Sequence, residues 1–133
     1  MHYFATLPWQ PAPDYFSRER AHLAGLYAAL GLAATLADQP LEQRLGFYRQ
    51  AYQIMPNQKT ALLLAQVLLD MARREPRSEA LARESLSHFR QYLREASIDP
   101  LRRNGLRELL GQYIAAFPAL AGEANQIAEE SLR

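Results

Sequence analysis

The 133-residue chain contains no cysteine. That excludes a disulfide scaffold, a thiolate metal site and a cysteine nucleophile together. Histidine is nearly as scarce, with His2, His22 and His88 the whole supply. No His-Glu-x-x-His pattern occurs, and no metal site is expected. The six glycines, Gly25, Gly31, Gly46, Gly105, Gly111 and Gly122, are scattered. None of them forms a loop able to cradle phosphate, so neither a nucleotide nor any other cofactor is assigned. Val and Ile are few (Val67, Ile54, Ile98, Ile114, Ile127), and no stretch alternates apolar and polar residues as a half-buried strand does. Fifteen basic and fourteen acidic side chains leave a net charge of +1, which supplies no global pull toward nucleic acid or membrane. Lysine is almost missing too: every basic residue but Lys59 is Arg. Codon usage in a G- and C-rich genome, bacterial in type, would produce that bias. Selection for bidentate recognition of carboxylate or phosphate is the alternative.

Long hydrophobic runs are also lacking. Residues 21–37 are uncharged, but as a helix they would reach about 26 Å against a hydrocarbon core of about 30 Å. They are rich in Ala and Gly and include His22 and Thr35, which reads as a buried helix and not a membrane span. The first 17 residues carry no Lys or Arg, so no secretory signal is expected and the location is taken as cytoplasmic.

Prolines supply the punctuation. After Pro8, Pro11 and Pro13 they fall at Pro40, Pro56, Pro76, Pro100 and Pro118, each interval long enough for one helix and its turn. The segments between them show helical periodicity. Residues 14–38 carry a stripe of large residues at Phe16, Leu23, Leu26, Tyr27 and Leu30. Beside it lie Ala24, Gly25, Ala28, Ala29 and Gly31, small enough to admit another helix closely. Residues 40–55 place Leu41, Leu45, Tyr48, Tyr52 and Met55 on one face. Residues 57–75, opened by Asn57, are apolar on nearly every side and are placed centrally. Residues 78–97 begin at Ser78, residues 99–117 at Asp99 and Pro100, and residues 118–132 form a last, weaker helix. The expected fold is all-α: five or six antiparallel helices in about three hairpins, as a repeat array or a compact bundle. Residues 14–133 form one helical domain in this reading. Residues 1–13, with Tyr3, Phe4, Leu7 and Trp9 among three prolines, form an extended arm that packs on its own body or on a partner.

One segment carries a family likeness. In the run from Phe47 to Asn57, the spacing of Tyr48, Ala51 and Pro56 resembles the second half of a tetratricopeptide repeat. Asn57 stands where the next repeat opens, and Ala61, Leu64, Ala65 and Leu68 resemble its first-helix pattern. The likeness covers residues 44–72. Arg44 departs from it, standing where the family has a small residue, and Pro56 and Pro100 are 44 residues apart where the repeat period is 34. The resemblance implies a protein-interaction module, with ligand contacts from the first helix of each pair: residues 14–38, 57–75 and 99–117.

No catalytic residue is assigned. Glu84 and His88 are four apart and could share a helical face, as a metal or base pair or as an ordinary surface contact. Residues 73–107 hold nine Arg against five acids, and Arg83, Arg90 and Arg94 are spaced along one face that phosphate or an acidic protein could use. Trp9, Tyr48 and Tyr52 are the aromatic candidates for a partner contact, since Tyr and Trp bury large rigid area and keep a polar handle. The expected function is therefore non-enzymatic binding of a protein partner by an adaptor or chaperone-like module. Two alternatives stand beside it. One is a homo-oligomeric structural subunit using the arm and the Ala/Gly face of the first helix. The other is a nucleic-acid-associated protein using the Arg face.

Overall fold

The computed structural model describes residues 15–74, 76–95 and 98–132. The arm of residues 1–13, Trp9 included, lies outside the described residues. Six α-helices occur among them: α1 (Tyr15–Leu36), α2 (Leu41–Ile54), α3 (Gln58–Ala72), α4 (Glu79–Glu95), α5 (Pro100–Ala116) and α6 (Ala121–Ser131). A short 3-10 turn, Pro118–Leu120, leads into α6, and no strand occurs among the described residues.

Local chemistry sets these boundaries. Asn57 accepts the backbone N–H of Thr60 at 2.9 Å, and Asp99 accepts that of Arg102 at 2.9 Å with Pro100 opening α5. Ser78 Oγ accepts the N–H of Leu81 at 3.2 Å. Each satisfies an amide that the first turn of a helix would otherwise leave unpaired. The α1–α2 turn is held differently. Asp38 adopts a positive φ of 54°, a conformation open to Asp because its short polar side chain tolerates the left-handed region. Arg44 then straps the turn, donating to the Gln39 carbonyl at 2.7 Å and to Asp38 at 2.9 Å. That role accounts for the arginine where the resembled repeat has a small residue.

Neighbours in sequence pack as neighbours in space: α1 on α2, α3 on α4 and α5 on α6, with α3 also against α2 and α6 against α4. The α3–α4 contact is the most extensive. Ala61, Ala65, Ala72 and Ala82 are fully buried in it, and side chains this small let two helix axes approach. Around them Leu69, Leu86, Phe89, Leu110, Tyr113, Leu120 and Ile127 form the larger core, shared by α3 to α6. A second cluster, Leu45, Tyr48, Leu64, Val67 and Leu68, joins α2 to α3.

The buried-helix expectation for residues 21–37 is corrected here. Among residues 18–36 of α1, only Ala24, Gly31 and Ala34 are buried, while Leu23, Leu26 and Leu30 are 45–50% exposed. The reason is Tyr48. Its ring lies so close to α1 that a Cβ placed on Gly31 would come within 2.4 Å of it, so the small-residue side of α1 turns inward. Among the described residues no helix is long and apolar enough to cross a membrane.

Candidate protein-binding trough

Two neighbouring cavities open along the seam between α3 and α5. One, of about 430 Å³, is lined by Leu62 and Gln66 of α3 with Arg102, Gly105, Leu106, Glu108, Leu109 and Gln112 of α5. The next, of about 310 Å³, shares Gln66, Leu109 and Gln112 and continues to Leu69, Asp70 and Arg73. Because those three residues belong to both, the cavities form one trough with a leucine floor and a polar rim. A further cavity of about 330 Å³ lies where Ala21, Gly25, Ala28 and Leu32 of α1 meet Asn57, Lys59 and Thr60. On α3 the positions Lys59, Leu62, Gln66, Asp70 and Arg73 recur every three or four residues, so a single helix face serves all three openings.

Charge along the rim is of both signs. Arg73 pairs with Asp70 at 3.1 Å. Arg102 donates to the hydroxyl of Tyr92, and its guanidinium lies 5.8 Å from the centre of that ring. Among the described residues no group of three His, Asp or Glu stands close enough to hold a metal ion. Glu19 and His22, three apart on α1, line a separate pocket with Arg20 and Leu23.

The sequence candidates among the described residues lie elsewhere. Tyr48 is 1% exposed and its hydroxyl is 3.2 Å from Thr35 Oγ1, so it is a core residue between α1, α2 and α3 and offers no surface to a partner. Tyr52 is half-buried and lines neither trough cavity, donating to Gln91 and meeting His88 edge-on at 5.0 Å. Arg83 and Arg90 do not form a free basic face. Arg83 reaches Glu79 at 2.8 Å and also Glu123, and Arg90 holds Glu130 at 3.0 Å, so both tie α4 to α6. Arg49 bridges to Glu84 at 2.8 Å, Arg74 to Glu42 at 2.7 Å, and Arg77 donates to the Ala116 carbonyl. Of the trio only Arg94 keeps an open guanidinium among the described residues, and it shares a cavity with Ser87, Arg90, Gln91 and Glu95.

No protein-family model, curated protein or solved structure matches this chain. Its own geometry therefore carries the functional reading. The trough residues Gln66 and Gln112 escaped the sequence analysis because nothing distinguishes an exposed glutamine until its neighbour, 46 positions away, is known. The one usable signal was polar: Lys59, Gln66, Asp70 and Arg73 interrupt an otherwise apolar helix on a single side.

The Glu84–His88 pair is also settled by its surroundings. His88 Nε2 lies 4.0 Å from Glu84, next to Arg49 and the Tyr52 ring. Burial lowers its pKa below 6.5; Glu84 opposes that shift and Arg49 adds to it. A lowered histidine pKa means the folded state binds fewer protons than the unfolded chain, so the contribution is complete above pH 6.5 and is lost as pH falls below that value through the lower folded-state pKa. Urea midpoints measured at pH 7.5 and 5.5 are expected to fall with acid in the wild type, and less in His88→Gln. Equal slopes for the two proteins would show that His88 is not the group responsible.

Proposed function

We propose that this chain is a non-enzymatic protein-interaction module, adaptor or chaperone-like, whose α3–α5 trough takes an apolar-faced helix or peptide of a protein partner. The observation that carries the reading is the continuity of the trough through Gln66, Leu109 and Gln112. A floor of Leu62, Leu106 and Leu109 beneath a mixed polar rim suits a segment with apolar anchors and polar flanks. The trough lies on the helices that the tetratricopeptide resemblance marks as ligand-bearing, residues 57–75 and 99–117, and three stacked hairpins would build such a surface. A nucleic-acid role finds less support, since Arg83 and Arg90, two of the three arginines that would carry it, are spent on intrachain carboxylates.

The test compares wild type with Gln66→Trp/Gln112→Trp. Both sites are exposed, so the substitutions fill the trough with little effect on the fold. Capture from native lysate at about 0.1 M and about 0.5 M salt is expected to retain the same protein with wild type at both concentrations, because an apolar contact resists screening. The double variant is expected to lose it. Capture that survives the double variant places the contact elsewhere. Nucleic acid that is released at high salt would assign the function to the arginines.

A further inference from the structure

Six large apolar side chains are exposed among the described residues, and five belong to α1: Leu23, Leu26, Leu30, Leu32 and Leu36, with Leu101 the sixth. Leu32 lines the opening toward α3 with Ala21, Gly25 and Ala28. Leu23, Leu26 and Leu30 lie about half a turn round the helix from those residues. The buried side, through Ala24, Gly31 and Ala34, is a third one. Leu23, Leu26 and Leu30 therefore face away from the opening toward α3 and border the buried side, about half of each side chain staying exposed.

Their spacing is specific. Glu19, Leu23, Leu26, Leu30 and Ala33 alternate steps of four and three. Ala37, one residue past the helix and held by its N–H to the Ala33 carbonyl at 2.9 Å, continues the series. All six positions are exposed. An alternation of four and three is the seam of a coiled coil, a surface whose knobs enter holes on another helix. Residues 1–13, with three prolines, lack the helical pattern such a seam receives.

We propose that the occupant is α1 of a second copy of this chain, packed antiparallel about a two-fold axis. Antiparallel pairing puts Leu23 opposite Ala33, where the large side chain fills the space beside the small one, and Leu26 opposite Leu30 at the centre of the seam. It also brings the end of α1 that carries Arg20 to the end whose last turn has no basic residue. The negative pole of the helix lies there as well. Parallel pairing would instead set Arg20 against Arg20. Leu101 is isolated and no second leucine seam exists among the described residues, so the contact is isologous and closes at two copies. It leaves the trough open and does not depend on it.

Sedimentation equilibrium of the full chain over roughly 1–200 µM, the range that brackets micromolar affinity, is expected to show a reversible dimer. Leu26→Glu/Leu30→Glu is expected to be monomeric, its association weakened about 100-fold or more as for loss of a paired hot spot, with the wild-type helical circular dichroism retained. Orientation is read by disulfide formation, which the cysteine-free chain permits cleanly. Leu23→Cys protein mixed with Ala33→Cys protein is expected to give mainly the mixed disulfide, and dominance of the two like disulfides would overturn the antiparallel arrangement. A wild-type monomer at every concentration overturns the proposal. So does a dimer that survives the double glutamate change, or one that appears only once residues 1–13 are deleted, which would make the arm the occupant.

Discussion

Alanine at Gly31 is expected to destabilise this protein, whereas alanine at Gly25, six residues earlier on the same helix, is expected to stabilise it. The intrinsic effect is the same at both sites: removing a helical glycine favours the helix by about 0.5–1 kcal/mol. The surroundings differ. A Cβ on Gly25 meets nothing within 4 Å, while one on Gly31 lies 2.4 Å from Tyr48 Cε1, 2.7 Å from Cδ1 and 2.9 Å from Cζ. The tyrosine cannot easily yield, being 1% exposed and bonded to Thr35, whose own hydroxyl donates to the Gly31 carbonyl at 2.9 Å. Overpacking of this kind costs about 1–3 kcal/mol, enough to outweigh the gain in propensity. Leucine at Gly31 should cost more and detach α1. Because α1 packs mainly on α2, amide exchange should rise first in α1 and leave α3 to α6 protected. Equal stabilisation by the two alanine substitutions would mean that the approach of α1 to Tyr48 is not maintained in solution.

The second large effect belongs to the centre of the main core. Tyr113 is fully buried, its ring 5.9 Å from that of Phe89 at an interplanar angle of 70°. Burial drives its hydroxyl far above the ordinary tyrosine range, so the group stays neutral there and acts only through hydrogen bonding. Its partner is Ser85, 2.7 Å away and itself fully buried. Ser85 has one proton, which goes to the Ala65 carbonyl, so Tyr113 is the donor between them. One chain of bonds thus links α3, α4 and α5. Tyr113→Ala is expected to cost about 3–5 kcal/mol, the range for truncating a buried aromatic, which is a large share of a typical domain's 5–15 kcal/mol. The finer expectation tests the donor assignment. Tyr113→Phe leaves the Ser85 proton satisfied and should cost about 1 kcal/mol, whereas Ser85→Ala strands the tyrosine hydroxyl and should cost more, about 1–3 kcal/mol. The double substitution should then be no worse than Ser85→Ala alone. Chemical denaturation of the four variants beside the wild type measures each value, and a Tyr113→Phe loss above that of Ser85→Ala would reverse the direction of the bond.

Helix positions were legible before any coordinates because their causes are local. Pro40, Pro56, Pro100 and Pro118 stop or start helices by removing an N–H and fixing φ, and Asn57, Ser78 and Asp99 cap the helices that follow with their own side-chain oxygens. Nothing distant is needed for either effect. The two-sided environment of α3 was legible for a similar reason, since its run of Ala and Leu admits neighbours on several sides.

The faces were not legible where two apolar choices competed. Along α1 the leucine stripe and the Ala/Gly stripe both repeat at helical spacing, and burial energy alone favours turning the leucines inward. The reverse occurs because Tyr48, 17 positions after Gly31, fills the space that a larger inward side chain would need. Arg83 and Arg90 mislead in the same way. Read with their own helix they form a basic face, but Glu123 and Glu130, each 40 positions onward, neutralise them in space.

Fold class, helix limits and the absence of thiol chemistry are thus properties of single residues and their near neighbours, and they can be read directly from the chain. Which stripe of α1 faces inward, which arginines remain free and where two helices part to leave a trough depend on pairs of residues tens of positions apart. Sterics and electrostatics act on distance in space, and that distance is defined only once the helices have packed.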